Sequence, residues 1–290
     1  MKKSIFFLVF ICIGILCFGQ NDFQGEATYK TLTKVDIKLD DAKIKSDMQA
    51  KIMEQLAKGS QETFMLSFNK EESIYKKEET LAKPQPQTGG FSISFSSSKG
   101  DVLYKNTKEN RYTTSNESFS KLFLIQDTLA TQDWKLENET KNIGKYTCFK
   151  ATKTYTKKVS KKTSVSFSVN ETEDEEEEEE EKEPEMVDKT ITVTAWYTPQ
   201  IPVNSGPDMY YGLPGLILEV NDDITTFLCS KVVLNPDEKA EIKEPQKGKK
   251  VNQAEYDAII KKKSDEMMER FKTRSKRGSG DGVEFIRIGG

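Results

Sequence analysis

Apolar residues at every second position constrain this 290-residue chain more than any other feature. Phe64, Leu66 and Phe68 are separated by Met65 and Ser67, whereas Phe91, Ile93 and Phe95, and Val165, Phe167 and Val169, are separated by serines. A period of two places alternate side chains on one face, so each run suits a half-buried strand and not a helix. Residues 25–31, 101–106, 146–155, 191–198, 216–220 and 225–234 add further β-type runs. Their polar alternate faces argue for antiparallel pairing with one side open to water. The expected fold is mainly β: an antiparallel curved sheet or half-barrel, with an α+β arrangement as the alternative.

Two stretches change period. Ile44, Met48, Ile52 and Leu56 recur at four-residue steps before Gly59, and Tyr256, Ile260, Met267 and Phe271 share one side of a Lys- and Glu-rich segment. Both read as amphipathic helices covering the sheet. Residues 83–90 and 235–250 are punctuated by Pro and Gly and read as loops. The run 171–185 is nearly all glutamate; it has no apolar side chains to offset chain entropy and reads as a disordered insert. It lacks the alternating ligands and central glycine of a calcium loop. The expected organisation is a single domain over 20–272 and a flexible tail over 273–290.

The chain opens with Lys2 and Lys3, an apolar run over 5–18, then Gly19 and polar residues, which is the plan of a cleavable signal peptide over 1–19. The run is short of the ~20 apolar residues that span a bilayer, and no later segment reaches that length. Cys12 follows Ile11 and Cys17 follows Leu16, so neither has the small preceding residue that lipidation requires. The expected location is the periplasm or outer membrane, or release beyond it. Without the leader, Cys148 and Cys229 are the remaining cysteines. An oxidising compartment favours one disulfide between them; two separately buried thiols are the alternative.

The formal charge is −3 and falls to −5 when Lys2 and Lys3 leave with the leader, which gives no footprint for nucleic acid. The sequence contains no histidine. That removes histidine bases, Ser-His-Asp and Cys-His arrangements and histidine metal ligands together. No catalytic, cofactor or metal motif is recognisable.

The most constrained stretch is 195–220, AWYTPQIPVNSGPDMYYGLPGLILEV. Pro199, Pro202 and Pro207 interrupt pairing after Thr198, Gly206, Gly212 and Gly215 allow tight corners, and Leu216, Leu218 and Val220 alternate into a new strand. The hexapeptide GLPGLI at 212–217 resembles the signature of the GLPGLI family of exported bacterial proteins. Trp134, Leu136, Ile143, Gly144 and the 146–151 run YTCFKA look like a second block, and the resemblance extends over most of 23–272. It implies an exported protein of the Bacteroidetes type, from a family with no established biochemical function.

Within the loop, Trp196, Pro202, Tyr210, Tyr211, Gly212, Pro214 and Gly215 are candidates for a preformed apolar surface that meets a partner or ligand. The competing reading is a tight corner feeding a buried strand. Three function classes follow: an accessory module docking on an envelope protein, a periplasmic carrier of an apolar ligand, and a hydrolase using Asp208, Glu219, Asp222 and Asp223. A non-enzymatic binding or accessory role without cofactor is the preferred expectation. A carrier needs large inward aromatics, and an accessory protein needs an exposed aromatic patch.

Overall fold

The structure, a computed structural model, describes residues 23–34, 61–78, 102–160 and 186–275. Expectations about the leader 1–19, the helical stripe 44–56, the loop 83–90, the strands 91–95 and 165–169, the acidic insert 171–185 and all of the tail 273–290 after Ser275 lie outside these residues; residues 273–275, expected in the tail, end the C-terminal helix. Among the described residues twelve strands are present: β1 (Gly25–Thr33), β2 (Gln61–Phe68), β3 (Glu72–Lys77), β4 (Val102–Asn106), β5 (Arg111–Ser118), β6 (Lys121–Thr128), β7 (Lys135–Ile143), β8 (Tyr146–Ser160), β9 (Met186–Thr198), β10 (Leu216–Asn221), β11 (Thr225–Leu234) and β12 (Lys249–Val251). One helix, α1 (Gln253–Ser275), follows.

All strands join one open sheet in the order β12-β6-β5-β4-β3-β2-β1-β11-β10-β9-β8-β7. Every pairing is antiparallel except that of β12 with β6. The curvature follows from chain length. β6 and β7 stand ten places apart in the sheet, which on a flat surface is about 48 Å. The segment joining Thr128 to Lys135 reaches at most about 25 Å. The sheet must therefore curl until its two ends approach, although no strand pairs across the gap.

β5 and β7 escape a search for alternation, because RYTTSNES and KLENETKNI have polar residues on both faces. Their place is set by neighbours on the sheet, not by their own pattern. The expected simple alternation of Leu216, Leu218 and Val220 is also corrected. Pairing with β9 slips between Ile217 and Glu219, and Leu216, Ile217, Leu218 and Val220 are all buried. The bulge inserts an extra residue and re-aims the following side chains, while both faces are covered here.

Two apolar clusters result. The larger runs from Tyr29, Phe64, Leu66 and Phe68 to Phe123 and Leu218; the smaller joins Ala151, Val193, Tyr197, Ile217 and Phe227. Residues 235–248 lie across the opposite side of β5 and β6. There Glu244 accepts hydrogen bonds from Arg111 Nη1 at 2.6 Å, from Thr113 Oγ1 at 2.5 Å and from Gln126 Nε2 at 3.3 Å. α1 begins with a reciprocal cap: the Glu255 amide donates to Asn252 Oδ1 at 2.8 Å and the Asn252 amide to Glu255 Oε2 at 3.0 Å. Its first turns seat Tyr256 against Phe123, with ring centroids 5.4 Å apart.

Candidate functional site

The proline-braced loop 199–215 leaves β9 at Thr198, crosses the inner face of the sheet and returns as β10, which agrees with the punctuation read from the sequence. Gly215 can only be glycine, since a Cβ there would lie 2.2 Å from the Thr198 carbonyl oxygen. The Leu216 amide donates to Ile201 O at 2.9 Å and the Ile217 amide to Ser205 O at 3.1 Å, folding the loop onto its own exit strand. Tyr29 donates its hydroxyl proton to Ile217 O at 2.6 Å from the far side.

The loop's far end is held by Lys105, on the β4 face that also presents Leu103. Lys105 is fully buried, and its Nζ donates to the carbonyls of Gly206 at 2.9 Å, Asp208, and Tyr210 at 3.4 Å. An ammonium has three protons, so three converging carbonyls match its capacity. Burial pushes its pKa down to about 7, with the Asp208 charge acting in the opposite sense.

The residues expected to form an apolar surface are divided by the fold. Tyr211 and Gly215 are buried, Trp196 and Tyr210 are half-buried, and Pro202, Gly212 and Pro214 are exposed. The aromatic rings are engaged internally. Tyr211 donates to Ala130 O at 2.6 Å, and Trp134 Nε1 donates to Tyr211 O at 2.7 Å, tying the loop to the segment that bridges the sheet ends. Tyr210 donates to Asp222 Oδ2 at 2.8 Å and shares Lys153 Nζ, 5.0 Å from its ring, with Trp134 at 4.9 Å. Trp196 lies elsewhere, under Lys141 Nζ at 4.3 Å.

The four candidate carboxylates are dispersed too. Glu219 pairs with Lys141 at 2.8 Å, Asp223 pairs with Lys189 at 2.8 Å, Asp222 accepts from Tyr210, and Asp208 faces another part of the fold. Among the described residues no three acidic or cysteine side chains gather as a metal site. The disulfide expectation is corrected: Cys148 and Cys229 are both buried free thiols within the larger apolar cluster. Burial pushes the Cys148 pKa to about 11 and the Cys229 pKa to about 12, so each behaves as a small apolar core residue.

The loop and α1 leave between them a cleft of about 180 Å³. Its floor is the sheet, through Phe64, Tyr75, Leu103, Tyr112 and Ile125; Asp208 and Met209 of the loop form one wall and Gln253 and Tyr256 of α1 the other. Phe64 and Tyr75 stack with centroids 4.8 Å apart and planes 8° from parallel. Tyr112 donates to Gln253 Oε1 at 3.0 Å, and Tyr256 shares a 2.8 Å hydrogen bond with Ser118. The Tyr75 hydroxyl, by contrast, is buried with no hydrogen-bond partner. Burial raises its pKa, with Asp208 and Glu62 adding to the shift, so it stays protonated. A buried hydroxyl left unpaired costs free energy.

Sequence reasoning placed Phe64 in a strand, Tyr256 in a helix and Asp208 among the acids, but did not bring them together. No local signal does, because the cleft draws on β2 to β6, the loop and α1.

Residues 134–219 match the family model described as "Protein of unknown function (Porph_ging)". The matched region holds Trp134, Cys148 and the 212–217 hexapeptide. No curated protein matches the chain. Structures of PNGF-II solved in the C2 and P21 space groups are similar at 16% and 17% identity, with TM-scores of 0.44 and 0.43. Each match covers 82% of this chain but 32% and 33% of the PNGF-II chains, so this chain spans about a third of their length.

Proposed function

We propose that this chain is a non-enzymatic binding module of the bacterial cell envelope that holds a small, largely apolar molecule in the cleft between loop 199–215 and α1. Export and membership of the GLPGLI family are part of this reading. The observation that carries it is a cleft of about 180 Å³ lined mostly by aromatic and aliphatic side chains, with Thr114, Asn116, Asp208 and Gln253 as its few polar residues. A concave apolar site with a few polar groups is the common form of a small-molecule site. The volume supports a single-ring occupant, since an engineered cavity of roughly 150 Å³ takes up benzene.

Docking of a protein on the loop has less support, because the rings of Tyr210, Tyr211 and Trp134 are taken up inside the fold. The test is methyl NMR with labelled methionine during titration with neutral, cationic and anionic single-ring compounds. Met209 lines the cleft, while Met267 is exposed on α1. The expected result is a saturable shift of the Met209 methyl with at least one compound and no shift of Met267. A Met209 signal indifferent to the whole panel would sink the proposal.

A further inference from the structure

The polar groups around the cleft are spent inside the fold. Gln253 accepts the Tyr112 hydroxyl proton on Oε1 at 3.0 Å and donates from Nε2 to Asp257 at 2.8 Å. Asn116 accepts from Ser118 Oγ at 3.3 Å, and Ser118 also shares its 2.8 Å hydrogen bond with Tyr256. Asp208 has its own partner within the fold, and its charge acts on the buried Lys105 ammonium. The Tyr75 oxygen is sealed beneath the surface. Thr114 remains, a half-buried neutral hydroxyl. The bonds that pin α1 to the sheet are thus the ones that silence the polar lining.

We infer that the cleft selects a neutral, hydrocarbon-like ring, and that Tyr112 sets this selection by closing Gln253 Oε1, the acceptor in the α1 wall. This rests on the binding-module reading above. A charged or hydrogen-bonding molecule gives up its water on entry, and only an open partner in the cleft offsets that loss. Phe64, Leu103, Ile125 and Met209 need no such partner to cover apolar surface. Removing the Tyr112 hydroxyl while keeping its ring would reopen Gln253 Oε1 as an acceptor for a ligand O–H.

The experiment is isothermal titration of the folded protein with ethylbenzene, benzyl alcohol, benzylammonium and benzoate, the first three alike in shape and different in one terminal group. A pH of about 6, below the Lys105 value of about 7, keeps the ammonium near Asp208 charged. The expected result is ethylbenzene binding at least ~10-fold tighter than benzyl alcohol, with both ions weaker still. Tyr112→Phe should narrow the lead over benzyl alcohol to ~3-fold or less, and Tyr112→Phe combined with Gln253→Leu, which removes both polar partners, should restore it. An alcohol or ion that binds wild-type protein as tightly as ethylbenzene overturns neutral selection. An unchanged lead in Tyr112→Phe, or a narrowed lead that persists in the double variant, overturns the role of Tyr112. Each of these leaves the binding-module reading standing, whereas no binding of any of the four to folded protein overturns both.

Discussion

Lys105 on β4 donates from Nζ to the carbonyl of Gly206 at 2.9 Å, across 101 positions of sequence, and thereby ties the proline-braced loop to the opposite limb of the curled sheet. Lys105→Met keeps the length of the side chain and removes its donors. Carbonyls left unpaired in a buried site cost about 2 kcal/mol in total. Chemical denaturation should show that loss, and hydrogen exchange should quicken at residues 205–211 before it does in β1 or β11.

The same lysine makes stability depend on pH. Burial lowers its pKa from 10.5 to about 7, so between those values the unfolded chain holds a proton that the native protein lacks. Stability therefore rises with pH above about 7. The cysteines act in reverse: with native values near 11 and 12 against 9.0 when unfolded, they favour the native state less as pH climbs past 9.0. Tyr29, Tyr75 and Tyr210, all raised, extend that decline above 10.0. Denaturation midpoints should rise from pH 7 to about 9 and then fall. In Lys105→Met the rise should vanish while the fall persists.

Gly215 and Gly144 give a controlled comparison of two reasons for glycine. A Cβ at Gly215 meets the Thr198 backbone at 2.2 Å, whereas Gly144 has a φ of 57° and nothing within 4 Å. Gly215→Ala must displace backbone and should cost about 3 kcal/mol. Gly144→Ala incurs only the left-handed penalty of about 1 kcal/mol. Thermal denaturation of both variants checks the ordering.

Tyr75→Phe should do the opposite of most core substitutions. Removing a buried hydroxyl that has no partner should stabilise the ligand-free protein by about 1 kcal/mol. A destabilised Tyr75→Phe would show that the hydroxyl is already paired, for example by water.

Cys148 and Cys229 should be slow to alkylate. Their burial and raised pKa values withhold the reactive thiolate at pH 8, so iodoacetamide should label neither in the native protein and both in denaturant without reductant. Mass spectrometry of the two states reads the result directly.

Strands with an apolar face, such as β2 and β11, announce themselves by alternation, and the ends of the 199–215 loop are marked by proline and glycine, because those constraints act within a few residues. β5 and β7 gave no such signal, since polar side chains leave the backbone's partner to be chosen by the rest of the sheet. The aromatic content of the loop was visible, but its direction was not. Tyr211 looked available for a partner until Ala130 O took its hydroxyl.

By itself, then, the sequence determined a β-rich chain with a rigid corner before β10, and it ruled out histidine chemistry. Tertiary structure alone decided the strand order, the curl forced by the short link from β6 to β7, the thiol state of the cysteines and the cleft itself. The physical reason is range. Propensity and periodicity are local, whereas the hydrogen bond from Tyr29 to Ile217 spans 188 positions, and the cleft joins Phe64 to Tyr256 only because the sheet has curled to bring β2 to β6, the loop and α1 together.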